Sequence, residues 1–263
     1  MPGQFETAGT ATVELTDIER ILDEIESERI KLEDFRGTGI VPDEEIDRDL
    51  ERCRAKEGQI AETNRNISAE RREQLEHGHE AEYTLRHCIQ DFGWLAPEVH
   101  VLITSQFDDY FYGVDSVAQI ILDPEHFENL GLAVDFASSQ AEVGAKLQKT
   151  FESLDQGYAT SIKYFDSDVT GKATGVRVPR LVIGAGSGAI TRMANYCSEI
   201  MSGSGMAEKS RQAITQDAFR YVLYGEILAQ LGTFCDRLNK VIAQARAQRR
   251  HEISTRAEDS GHI

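Results

Sequence analysis

Residues 114–137 read VDSVAQIILDPEHFENLGLAVDFA. Two short apolar runs, Val114–Leu122 and Leu132–Ala137, stand on either side of an Asp123-Pro124 turn signal. Runs of this length, rich in β-branched residues and bounded by turn residues, predict strands. Each run carries one aspartate, Asp115 and Asp135. A hairpin built from the two runs has its centre near residue 125, which sets Asp115 across from Asp135 on one face. Slipping the register by one residue would send the two acids to opposite faces. On the predicted face Ala133 and Ala137 leave room beside Asp135, while Val134 and Phe136 point toward a core.

Outward from this hairpin the periodicity alternates between two and 3.6. Upstream, Val99, Val101 and Ile103 alternate with polar residues and predict a strand, preceded by a helix from Ser68, its N-cap, to about Phe92. Asp108-Asp109, between the strands, reads as a turn or a cap. Downstream, residues 140–154 return to helical spacing with Val143, Leu147, Phe151 and Leu154 in one stripe. A fourth strand is expected over Thr160–Phe165, a turn over Gly171–Gly175 and a fifth strand over Arg177–Ile183. Helices at about 187–200 and 208–248, separated by Gly203–Gly205, complete the chain. Helix, three strands, helix, two strands and helices predict an α/β (α+β) fold, with a mixed β-sheet flanked by helices.

The amino-terminal 67 residues differ in character. Residues 1–50 hold 15 acids and 5 Lys/Arg, so ten of the 17 excess negative charges lie there. That balance argues against a nucleic-acid footprint on this segment. Thr16 and Glu19 form a capping box for a helix ending near Phe35, Gly37-Thr-Gly39 breaks it, and a second charged helix follows from Pro42-Asp43 to a break near Asn64–Ser68. We read residues 1–67 as an acidic helical extension, 68–251 as the α/β core domain with carboxyl-terminal helices, and 252–263 as a frayed tail. The extension is suited to binding a protein partner or a second copy of the chain; a solvated hairpin lying on the main domain is the alternative. Cys53, Cys88, Cys197 and Cys235 form no C-x-x-C pair and read as buried thiols of a cytoplasmic protein. No secretory signal or membrane span is expected.

Two ionised carboxylates facing each other in an apolar setting must be compensated. They can share a proton, pair with a base, or hold a divalent cation through oxygen ligands. Lys146 and Lys149, on the helix after the third strand, and Lys163, on the fourth, are the nearest candidate bases.

The order of elements and the placement of Asp115 and Asp135 resemble the PD-(D/E)xK nuclease-like superfamily, over about residues 68–165. That resemblance implies a restriction-endonuclease-like core and a Mg²⁺- or Mn²⁺-dependent phosphodiesterase acting on nucleic acid. Asp115 would match the acid of the second strand and Asp135 that of the third. Glu82, or Glu80, would match the acid often found on the first helix, giving Asp115, Asp135 and Glu82 as metal ligands. The lysine expected two residues after the second acid is replaced by Ala137. Lys146, on the following helix, is then the catalytic candidate and Lys163 the next. Without a lysine in reach, the resemblance implies a non-catalytic interaction protein with a degenerate nuclease-like fold. The pattern GVDSV, LGLAVDFA, SIKYF and VPRLVIG also resembles hypothetical proteins of uncultivated bacterial lineages, which implies nothing about chemistry.

Three weaker signals complete the reading. LVIGAGSGA at 181–189 places a glycine turn between a strand and a helix, and Gly184–Gly188 is a third candidate function, nucleotide binding. It follows the last strand rather than the first, and no acid-ended strand comes after it. Glu76 and His79 form a single E-x-x-H pair, read as a polar helix face because a di-iron site needs two. Arg246, Arg249 and Arg250 form a basic cluster near a helix end.

Overall fold

The computed structural model describes residues 23–260 except 97, 124–127, 138–139 and 158. The capping box at Thr16 and the turn begun by Pro124 lie outside these residues.

A mixed four-stranded sheet forms the centre, flanked by helices. Strands β1 (Val99–Ile103), β2 (Ser116–Asp123) and β3 (Glu128–Ala137) form an antiparallel meander. Helix α4 (Gln140–Asp155) then crosses over, and β6 (Arg180–Gly184) pairs parallel with β3, giving the order β1-β2-β3-β6. Ser116 pairs with Val134 and Val117 with Ala133, so the hairpin holds the register centred near residue 125.

The fourth and fifth strands depart from the expectation. Thr160–Ile162 (β4) and Val176–Val178 (β5) make a separate two-stranded sheet, and the main sheet is completed by β6. Pro179 divides what reads as one run. It has no N–H for a ladder, and its carbonyl instead accepts from Ala133 N at 2.9 Å. The predicted strand end at Lys163–Phe165 turns away after Ile162, with only an isolated bridge from Phe165 to Ala173.

One face of the sheet buries Ala118, Leu132, Val134 and Leu181 against α2 (Ala69–Gln90), α5 (Ser187–Met201) and α7 (Phe219–Ser260). Ser68 caps α2 by accepting from Arg71 N, as its sequence position predicts. The carboxyl-terminal half of α2 supplies Leu85, Cys88 and Ile89, all buried, while its first turns are exposed. Fully burying each such Leu or Ile contributes about 1.5–3 kcal/mol. Trp94 lies in this core with its indole N–H donating to Ile214 O at 3.0 Å. The other face packs Val117 and Ala133 against Ile162, Phe165 and Val178 of the small sheet.

The expected single helix over 208–248 is two. Helix α6 (Ala207–Thr215) ends before Asp217, and α7 then runs unbroken to Ser260, through the region expected to be frayed. From Thr233 onward α7 holds no Gly or Pro and is rich in Ala, Gln, Glu and Arg, all good helix formers. The backbone of β6, an edge strand, is covered by α7. Gln230 donates to Val182 O at 2.8 Å and accepts from Val182 N at 2.9 Å.

The described part of the amino-terminal segment, from residue 23, lies on this body. Residues 23–28 are helical, and Ile25 packs with Tyr83 and Ile103. A 3-10 turn at Leu32–Phe35 replaces the expected helix end. Helix α1 (Asp43–Arg65) joins it to α3 (Gln106–Tyr112) through a cluster of Phe35, Ile46, Cys53, Phe107 and Tyr164. Cys53, Cys88 and Cys197 are buried as expected, whereas Cys235 is exposed on α7. No helix among the described residues is long and apolar enough to cross a membrane.

Candidate functional site

Asp135 sits in β3, paired with Val182 of β6, and is 5% exposed. Lys146, on α4, donates to Asp135 Oδ1 at 2.6 Å and lies 3.0 Å from Glu142, one turn earlier on the same helix. Arg180, at the start of β6, places Nη1 3.9 Å from Asp135 Oδ2 and donates to Gly113 O at 2.6 Å. Burial pushes the Asp135 carboxyl up, and the Lys146 hydrogen bond and charge, with Arg180, offset part of that rise. For Lys146, burial is the largest single influence and works against the charge, but the bond to and charge of Asp135, with Glu142 and Asp115, together outweigh it and hold the ammonium above its ordinary range.

Asp115 directly precedes β2, and its carbonyl accepts from Thr104 N. Extending the Ser116–Val134 register by one residue brings Asp115 level with Asp135. Asp115, Ala137, Glu142 and Lys146 line a cavity of about 680 Å³ whose far wall is α2. From α2 come Arg71, Leu75, Gly78, His79 and Glu82, a stripe at i, i+4, i+7, i+8 and i+11. Burial pushes Glu82 up to about 7, and Asp109 and Asp135 add to that shift. Asp109 is itself raised by burial and accepts from Arg29 Nη1 at 3.3 Å. Burial lowers His79.

Glu82, Asp115 and Lys146 therefore line one cavity, and Lys146 ties Asp135 to its wall. Lys163 is not among them. Its Nζ pairs with Glu45 and Asp49 of α1, and its backbone N–H donates to Asp108 Oδ1 at 2.6 Å. Asp108, 0% exposed, also accepts from Tyr164 N and Ser105 Oγ, so it anchors the chain after β4 to α3. Glu80 accepts from His77 rather than facing the cavity residues, and Lys149 lines a separate cavity with Arg180. Arg71 and Arg180 are not singled out by the sequence, His79 reads as part of a polar helix face, and Asp109 reads as a turn or cap although it lies inside α3. The helical spacing of Arg71, His79 and Glu82 was the available signal for Arg71 and His79; Asp109 and Arg180 had none.

The carboxylates at the site, Asp115, Asp135, Glu82 and Glu142, offer oxygen donors, with His79 as a nitrogen donor in the cavity wall and Lys146 and Arg180 as the cations beside Asp135. Among the described residues, no three His, Cys, Asp or Glu side chains are placed as a ready cage. Two carboxylates completed by water and substrate oxygens are a usual set for Mg²⁺, and at Asp135 a cation would compete with Lys146.

Gly184 has a packing role: a Cβ there would lie 2.3 Å from Val143 Cγ2 of α4. Gly186, the N-cap of α5, has open space around its Cα. No protein-family model, curated protein or solved structure matches the chain.

Proposed function

We propose that the protein is a Mg²⁺- or Mn²⁺-dependent phosphodiesterase acting on nucleic acid, with a restriction-endonuclease-like core. One observation carries the reading: an acid from a helix, the acid that precedes β2 and a lysine from the crossover helix line a single cavity, and that lysine is bonded to Asp135 of the adjacent strand. Asp115 and Asp135 would hold the cation, with Glu82 at its side. A bound divalent cation there would stabilise charge developing on a phosphoryl oxygen. Lys146 stays protonated and sets a fixed positive charge beside the reacting phosphate. Glu82, with a pKa of about 7, is positioned to take up or return a proton near neutrality. Arg71, at the α2 wall, presents a planar guanidinium suited to a phosphate oxygen pair.

The test is Mn²⁺ calorimetry and cleavage of single- and double-stranded nucleic acid by wild type, Asp135→Ala and Lys146→Met. Uptake and cleavage lost in Asp135→Ala, with uptake kept but cleavage lost in Lys146→Met, are expected. Equal weak uptake in wild type and Asp135→Ala rejects the assignment.

A second reading, a non-catalytic interaction protein, is favoured by one specific feature. Asp135 is already compensated by Lys146 and Arg180. Its partner-binding element would be the exposed junction of α1 and α2 around residues 60–74.

A further inference from the structure

A second cavity, of about 290 Å³, opens between α4, the end of α3 and β4. Lys149 and Arg180 line it, with the hydroxyl-bearing Thr160 and Ser161 and with Tyr112. No acid lines it among the described residues, in a chain with 17 excess negative charges. The acids that follow Lys149 on α4 are engaged elsewhere: Glu152 accepts from Gln148 at 2.9 Å, and Asp155 pairs with Arg237. Lys149 is exposed and makes no ion pair among the described residues. Arg180 is fixed in place. Its Nη2 donates to the carbonyls of Tyr112 and Gly113 at the end of α3, and its Nη1 stands 3.9 Å from Asp135 Oδ2. Asp135 takes its close bond from Lys146 instead, so the guanidinium charge is not cancelled there. Two carbonyls leave part of a five-donor guanidinium open to a further acceptor.

An ammonium and a fixed guanidinium with hydroxyls between them suit a phosphate group. Tyr112, 41% exposed, brings an aromatic ring to the same cavity. Cations for the backbone beside a ring for a base are the means by which single strands are held. Lys149 follows Lys146 by three positions, about 4.5 Å along α4, and Arg180 reaches both Asp135 and this cavity, so the two cavities are neighbours.

We propose that this second cavity is a subsite for single-stranded nucleic acid, holding the phosphate next to the one at Lys146 with its base stacked on Tyr112. The assignment rests on the phosphodiesterase reading for the neighbouring phosphate and adds the strandedness of the substrate. A duplex carries phosphates on two strands and needs a broad basic face. The two cavities supply Arg71, Lys146, Lys149 and Arg180, a narrow set that fits one strand with an unstacked base.

Fluorescence anisotropy of the full chain with labelled oligothymidylate, in EDTA so that no metal is present, tests this. Wild type is expected to bind the single strand about tenfold tighter than its duplex with oligoadenylate. Tyr112→Ala and Lys149→Ala, both at exposed positions, should each weaken single-strand binding about tenfold with unchanged far-ultraviolet circular dichroism. For Lys149→Ala the slope of log affinity against log salt should also shrink by about 0.7, one single-strand phosphate contact; lost packing would leave that slope alone. Equal binding of single strand and duplex, or single-strand binding that neither substitution changes, overturns the subsite. Single-strand binding weakened in both variants, with no Mn²⁺-dependent cleavage by wild type, upholds the subsite and removes the phosphodiesterase reading.

Discussion

Lys146 donates to Asp135 Oδ1 at 2.6 Å, tying the crossover helix to the strand beside it through a carboxylate that is 5% exposed. Here position 137 is an alanine that lines the cavity, and the ammonium reaches in from α4.

Removing the lysine leaves Asp135, among the described residues, with Arg180 at 3.9 Å. Lys146→Met is therefore expected to destabilise by about 2 kcal/mol, below the usual cost of breaking a buried pair because Lys146 keeps some exposure. Adding Asp135→Asn should restore most of the loss. Urea denaturation of the two single variants and the double variant checks this; additive losses would show that the pair is not coupled.

Glu82 predicts a pH effect. Its folded pKa, about 7, lies above its ordinary 4.5, so between those values the folded chain holds a proton that the unfolded chain has lost. Stability therefore declines as pH rises through this window, by about 3 kcal/mol at most. Glu82→Gln should flatten the decline and be more stable than wild type at pH 8. Thermal melts from pH 5 to 8 measure it, and parallel profiles for the two proteins would refute it.

Gln230→Leu tests the cover on the sheet edge. The substitution keeps the bulk but strands the N–H and C=O of Val182, both bonded by the Gln230 amide. A loss of about 2–4 kcal/mol is expected, since each orphaned buried group costs its desolvation. Amide exchange at Val182 should accelerate by a larger factor than at Val134 in the sheet interior.

Gly184→Ala should cost about 1–3 kcal/mol by overpacking against Val143. Val143→Ala removes the methyl that lies 2.3 Å from the added carbon, so the double variant should recover most of that cost. Chemical denaturation decides it; a neutral Gly184→Ala would mean that α4 shifts freely.

The hairpin register was legible because its signals are local. The two apolar runs are bounded by a turn, and a period of two lets only one alignment put Val134 in the core and Asp115 level with Asp135. The Ser68 cap and the helix over 140–155 were legible for the same reason. The division at Pro179 was visible as a proline, but which half joins the main sheet depends on where α4 delivers the chain. Lys163 had the same local credentials as Lys146. Its fate was set by Glu45 and Asp49, over a hundred positions earlier, on a helix whose docking no local pattern reveals.

Sequence alone determined the central hairpin, the two acids' alignment and the helices on either side of it, because backbone periodicity and turn chemistry act over a few residues. Tertiary structure decided which ammonium reaches Asp135, that Glu82 and Arg71 face the same cavity, and which glycine is needed for packing. Those outcomes depend on helix rotation and on burial by distant segments, and a side chain's partner and proton affinity follow from what surrounds it in space.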